Sequence, residues 1–297
     1  MKRSRILLML TMASITLAAC SSSPKEETAA DKSEQVSEKE TEKKEITKKE
    51  SKKEETVKFE PQLIYDQNGL KVTVTGFDKD SFSFQLKMNV ENSTDTNYDI
   101  QARDVSVNGL MIDPMMSIDV AAGKKANDDM ELVNTDLKKS GIDVPGTIDF
   151  RLHIFNSDDY MDNFDSDIIS VKIGDAKNTD VSKGDVLVDQ NGIKIVSTGL
   201  NKDDLFGDEI GLYLENNSEQ PVVVQMDNLS VNGYMIDGLF SCELQPGKKA
   251  VDEISMMKSD LENNEIENIE QVECSFKVIN PDSYQSIFET DIVQINY

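Results

Sequence analysis

Few residues in this 297-residue chain have the type and spacing that chemistry needs. Five aspartates, Asp158, Asp159, Asp162, Asp165 and Asp167, crowd the segment NSDDYMDNFDSD. Hard cations take several convergent carboxylate oxygens, so calcium capture is one reading of that loop. A solvated acidic loop is the other, because the spacing lacks the central glycine of a calcium loop. Cys242 and Cys274 stand 32 residues apart. Bridged, they would stabilise the fold by roughly 3 kcal/mol; unbridged, they would pack as two small buried hydrophobes. A metal site on two cysteines would lack further ligands. His153, the single histidine, lies out of phase with Leu152 and Ile154, which predicts a solvent-facing ring without a catalytic role. No nucleophile–base signature stands out, and with no tryptophan nothing marks any two carboxylates as a glycosidase pair. No enzyme activity is expected, and no cofactor beyond the calcium reading.

Composition narrows the classes further. Lys and Arg total 31 against 56 Asp and Glu, a formal charge of -25. Nucleic acid is excluded as a partner, because neutralising phosphates needs a basic face. Three cysteines in so long a chain exclude a disulfide-dense miniprotein. The charge falls into three regimes. Residues 1–20 carry three basic groups and no acid, residues 21–58 carry 10 lysines against 11 acids, and the rest carries 18 basic against 45 acidic groups.

The first regime has the layout of an export signal. Lys2, Arg3 and Arg5 precede an apolar run from Ile6 to Ala18, too short to span about 30 Å of hydrocarbon as a stable helix. Leu17-Ala18-Ala19-Cys20 then resembles the lipobox of bacterial lipoproteins. That resemblance implies diacylglycerol on the Cys20 thiol and cleavage before it, which makes residues 1–19 a signal peptide and Cys20 the first mature residue. A diacyl anchor supplies the two chains that stable attachment needs, so the membrane is one expected partner. Residues 20–58 then read as a disordered Lys/Glu-rich tether, too poor in apolar residues to offset the entropy of ordering. As a coil the tether spans on the order of 34 Å. Without its leader the chain would stand at -28, nearly all on the body, and like-charge repulsion would hold that body off an anionic membrane.

The body repeats itself. LIYDQNGLKVTVTGF (63–77) returns as LVDQNGIKIVSTGL (187–200), and VSVNGLMID (105–113) returns as LSVNGYMID (229–237). From Val105 onward the copies align without a gap at an offset of 124, with 22 identities in 69 pairs. Gly123-Lys124-Lys125-Ala126 matches Gly247-Lys248-Lys249-Ala250, and Cys242 and Cys274 fall opposite Ile118 and Phe150. Such a period is too long for a solenoid unit and indicates two domains, 59–174 and 186–297, joined by a polar linker at 175–185. Apolar residues alternate in each copy: Phe82, Phe84, Leu86, Met88 and Val90 in the first, Ile210, Leu212 and Leu214 in the second. Alternation of this length means strands with one buried face. Asn108-Gly109 and Asn232-Gly233 mark hairpins, and Thr135–Ser140 and Ser259–Asn264 each read as a single helical turn. The fold class is all-β, two tandem antiparallel sandwiches with roughly seven or eight strands each; a closed barrel is the runner-up.

The VNGxMID hairpin, the GKKA turn and the alternating strand after it resemble the immunoglobulin-like domains of lipoproteins from low-GC Gram-positive bacteria. The likeness covers both copies and implies fold and location only, the extracellular face of the cell membrane. The expected function is a non-catalytic binding or scaffolding module engaging an envelope protein or wall ligand, since tandem repeats suit spacing and avidity. Cation capture by the acidic loops is the second reading, an envelope hydrolase the third. The lysine pairs read as solvated turn charges or as a docking spot for an acidic partner. Tyr234 and Met235, with Leu110 and Met111 opposite them in the first copy, read as core packing or as an exposed apolar interface.

Overall fold

Alternating apolar residues require sheets with one dry face, and two such sheets stack in each half of the body. The computed structural model describes residues 59–202 and 207–297; the leader, Cys20 and the tether lie outside them. The first half runs β1 (Gln62–Gln67), β2 (Leu70–Lys79), β3 (Ser83–Asn92), β4 (Tyr98–Val107), β5 (Leu110–Met111), β6 (Ile118–Val120) and β7 (Lys125–Val133). It continues with α1 (Asn134–Lys139), β8 (Ile142–Val144), β9 (Thr147–Asn156), β10 (Asp159–Asp165), β11 (Ile169–Lys172) and β12 (Lys177–Asn178). The second half runs β13 (Asp185–Gln190), β14 (Ile193–Asn201), β15 (Glu209–Asn216), β16 (Val222–Val231), β17 (Tyr234–Met235), β18 (Gly238–Leu239), β19 (Ser241–Leu244) and β20 (Lys249–Met256). It closes with α2 (Lys258–Asn263), β21 (Gln271–Ile279), β22 (Ser286–Glu289) and β23 (Val293–Asn296). Among the described residues no helix is long and apolar enough to cross a membrane.

In the first half β1-β2-β3-β7 form one antiparallel sheet. The other centres on β4 and β9, with β5 and β6 along the outer side of β4 and β10 and β11 along that of β9. Among the described residues no ladder joins these two sheets, so the architecture is an open immunoglobulin-like sandwich and not a closed barrel. Val72, Val74, Leu86, Met88, Ile100, Leu152 and Ile154 fill the space between them. The second half repeats this arrangement register for register. Ile100 pairs with Ile118, and 124 residues on Val224 pairs with Cys242; the bulge between Arg103 and Ser106 returns between Asp227 and Ser230.

The turn residues act as their chemistry dictates. Asn68-Gly69, Asn108-Gly109, Asn191-Gly192 and Asn232-Gly233 all hold positive φ, as two-residue hairpins require. Phe82, expected on the inward face of β3, instead precedes the strand and is exposed. The Asp80 carboxylate accepts the backbone N–H groups of Phe82 and Ser83, and that turn passes the first buried position to Ser83. Both short helices start one residue earlier than expected and bury one leucine each, Leu137 and Leu261.

The linker is fastened down. Lys177 of β12 pairs with Val144 of β8, the Thr179 amide donates to the Gly141 carbonyl at 2.7 Å, and Val181 packs on the first core. At Gly184 a Cβ would collide with the Ser197 carbonyl, so only glycine fits.

The halves also share a sheet. Leu110 of β5 pairs in parallel with Lys249 of β20, which makes the second sheet of the first half continuous with the first sheet of the second. Val196 and Tyr213 from the second half enter the first core, and Met111 from the first half packs on the second. The described residues of both halves accordingly belong to one compact unit.

Candidate functional site

The junction of the halves opens into a cleft of about 960 Å³. Its first wall is β4, where the bulge puts Asp104 at φ 54 and breaks the ladder to β9 after Arg103. Asp104 is held from both sides: Arg151 Nε donates to it at 2.6 Å, and Gln245 Nε2 of the second half donates at 3.0 Å. The second wall comes from β19 and β20, which present Glu243, Asp252 and Glu253. Lys139 at the end of α1 reaches across to Glu253. Below the cleft, Lys248 Nζ meets Asp149 Oδ2 at 2.6 Å, with side chains only 23% and 21% exposed. Burial pushes the Asp149 carboxyl up, but the Lys248 ammonium and the Ser170 hydroxyl outweigh it and hold it below the usual carboxylate range.

The cleft is acidic on balance. Eight carboxylates line it, among them Asp104, Asp165, Glu243, Asp252 and Asp282, against Arg103, Lys139 and Arg151. Burial raises the pKa of Asp252, with the neighbouring Glu253 charge adding to it. Burial also raises Glu243, next to Asp104. The Cys242 thiol lies beside Asp252 and is pushed far up by burial, so it stays protonated. A protonated thiol cannot act as a nucleophile. What the cleft offers is carboxylate charge in a partly dry setting, which suits holding a cation-bearing ligand.

The five aspartates of the 158–167 segment do not converge. Asp158 Oδ2 accepts from Asn97, Asp159 Oδ1 from the Met161 amide, Asp162 Oδ2 from Asn156, and Asp165 Oδ1 faces His153; the Asp167 carbonyl accepts from Ser166. Each thus makes its own local contact, Asp158 and Asp167 outside β10 and the other three within it. Among the described residues no three His, Cys, Asp or Glu side chains converge as metal ligands.

His153 corrects an expectation. It is 8% exposed, with Nδ1 2.6 Å from Asp165 Oδ1 and its ring 5.6 Å from that of Phe155. Its phase does point it away from the core, but Phe155, which itself packs near Tyr160, and the side chain of its cross-strand neighbour Asp165 on β10 flank the ring on that face.

Cys242 and Cys274 are free and buried, which sets the disulfide reading aside. Strand β16 runs between their strands, with Val224 paired to Cys242 on one side and to Val278 on the other. Two strand spacings across and four residues along put their Cα atoms roughly 16 Å apart, far beyond disulfide reach.

The two lysine pairs part company. Lys125 pairs with Glu91 within its own half, whereas Lys248 reaches Asp149 in the other half, and Lys249 approaches Glu215 at 3.7 Å and lies over the Tyr213 ring. The Gly247–Ala250 turn is thus a fastener between halves and not a solvated loop. Likewise Leu110 is buried and Met111 half-buried, while Tyr234 and Met235 are exposed. Sequence reasoning missed Asp104, Arg151, Glu243 and Asp252. A bulge at Asp104 leaves no mark in the sequence, and which strands face each other across a junction is not periodic information.

No family model matches the chain, and no curated protein matches it. Solved structures that resemble it include the YadV chaperone, 13% identical over 77% of this chain and 100% of that one, with a TM-score of 0.25. A complex of the Salmonella enterica SafA pilin with the SafB chaperone is 15% identical over 78% and 98%, with a TM-score of 0.24. The Pseudomonas aeruginosa CupB2 chaperone is 12% identical over 72% and 92%, with a TM-score of 0.20. Likeness of this degree assigns neither family nor ligand.

Proposed function

We propose that the protein is a lipid-anchored, non-catalytic binding module on the extracellular face of the cell membrane, and that its ligand site is the acidic cleft between the two halves. The carrying observation is that one concave surface takes carboxylates from both halves, Asp104 and Asp165 from the first, Glu243, Asp252 and Asp282 from the second. Such a surface selects a ligand bearing ammonium or guanidinium groups, as on the basic side chains of an envelope protein or the free amines of a wall polymer. The Leu-Ala-Ala-Cys20 box and the tether before residue 59 support the anchoring half of the reading.

Calorimetric titration of the full chain with a trilysine amide tests the cleft. Binding that weakens on raising salt, and that falls at least fivefold in Glu243→Gln/Asp282→Asn, is the expected outcome. Binding unchanged in that variant would place the ligand elsewhere. Titration with calcium alone, giving heat that survives the double variant but disappears in Asp158→Asn/Asp162→Asn, would favour the cation-capture reading instead. Loss of labelled lipid incorporation in Cys20→Ala tests the anchor separately.

A further inference from the structure

The contact that joins the halves uses two segments, and each segment exists twice. Its donor is the hairpin Asn108-Gly109-Leu110-Met111, whose Gly109 carbonyl accepts the Lys249 amide at 3.0 Å. Its acceptor is the Gly247-Lys248-Lys249-Ala250 turn with the outer edge of β20. The second copy of the donor, Asn232-Gly233-Tyr234-Met235, has nearly the same backbone: φ is 51 and 84 there against 52 and 84 in the first. Its apolar residues stand open, with Tyr234 52% and Met235 69% exposed and Leu239 and Met257 exposed nearby. The second copy of the acceptor, Gly123-Lys124-Lys125-Ala126, starts β7. That strand pairs along one side with β3, while on its other side the one partner among the described residues is the bridge from Met115 to Glu131. The charges recur as well: Lys124 stands where Lys248 does, and Glu273 where Asp149 does.

We infer that a second copy of this chain covers this surface. The β17 hairpin of one molecule pairs in parallel with the outer edge of β7 in the next, Tyr234 opposite Lys125, with Lys124 of the second molecule meeting Glu273 of the first. The contact is heterologous, so it leaves one donor and one acceptor free on every pair and propagates as a row of molecules. It is also weaker than the internal contact. Val196, Tyr213 and Val251, which pack against the first core at the internal junction, correspond to Thr73, Asn89 and Asn127 on the receiving face. The single backbone pairing and the ion pair remain, and most of the apolar seal is lost, so rows assemble reversibly where molecules are concentrated, as on a surface.

Mixed cross-linking tests this. In a Cys20→Ser background the remaining native thiols, Cys242 and Cys274, are buried. One preparation of the full chain carries Lys125→Cys, another Tyr234→Cys, and the two are mixed under mild oxidation. Parallel neighbours in register lie within disulfide reach, so the mixture should link at least fivefold faster than either preparation alone. Lys124→Glu on the Lys125→Cys chain should slow linking several-fold, and Glu273→Lys on the Tyr234→Cys chain should restore it. Self-linking of Tyr234→Cys at the mixed rate would mean a face-to-face dimer and overturn the proposal. No linking above background, or linking indifferent to the charge pair, would overturn it too.

Discussion

The two halves share a fold and a register, yet they divide the work of the junction unequally. The first half gives its hairpin away: Leu110 and Met111 leave solvent to join the second half, and Asp149 waits below to receive Lys248. The second half keeps the same hairpin in solvent and supplies instead the receiving face, with Val196, Tyr213 and Val251. At the same strand position the first half buries Phe150 and the second Cys274, both completely. Duplication thus fixed the scaffold, and side-chain differences at a few facing positions decided which copy donates and which receives.

The largest test strikes the core comparison. Phe150→Ala should cost about 3–5 kcal/mol, whereas Cys274→Ala at the matching position should cost about 1 kcal/mol, because far less volume is removed. Urea unfolding monitored by circular dichroism reads both; equal losses would mean the halves are not packed alike. Leu110→Asp should destabilise by about 3 kcal/mol, since a carboxylate would be driven into the junction, while Tyr234→Asp should stay within about 0.5 kcal/mol. Equal effects would show that the second hairpin is covered within its own chain. Lys248→Ala should cost about 1 kcal/mol through the partly buried pair with Asp149, and Lys124→Ala close to nothing.

The smallest effect is a matter of sign. Asp252 and Glu243 have raised folded pKa values, so their contribution to stability is fully present below the unfolded value and is lost as pH rises through the folded one. Asp149 is depressed, so its contribution is present above the unfolded carboxylate value and is lost as pH falls through the folded one. Melting temperature should therefore rise as pH drops from neutrality toward the carboxylate range, then fall on further acidification. Asp252→Asn should flatten the rise and Asp149→Asn the fall. A curve that declines steadily from pH 7 would contradict the acidic cleft.

Much of the scaffold was legible beforehand. Alternation announced the strands, Asn-Gly announced the hairpins, and the repeat announced two similar halves with one helical turn each. Phe82 misled because the Asp80 turn ends the alternation before the strand begins, leaving Phe84, Leu86, Met88 and Val90 in phase but Phe82 outside, a local hydrogen-bond effect invisible to alternation. His153 misled because phase gives the face of a sheet but not what covers that face. The site was scarcely legible: the crowded aspartates that drew attention make separate local contacts, and the carboxylates of the cleft are separated by up to 178 positions, from Asp104 to Asp282.

By itself the sequence determined the acidic balance, the all-β class and the register of the duplicate, because these depend on composition and on near-neighbour periodicity. Tertiary structure alone decided that Lys248 belongs to Asp149, that the two thiols lie apart, and that carboxylates of both halves converge on one cleft. Those outcomes depend on which edge meets which. Edges meet through backbone groups that every residue carries, so the choice falls to shape and to a handful of side chains far apart in the chain.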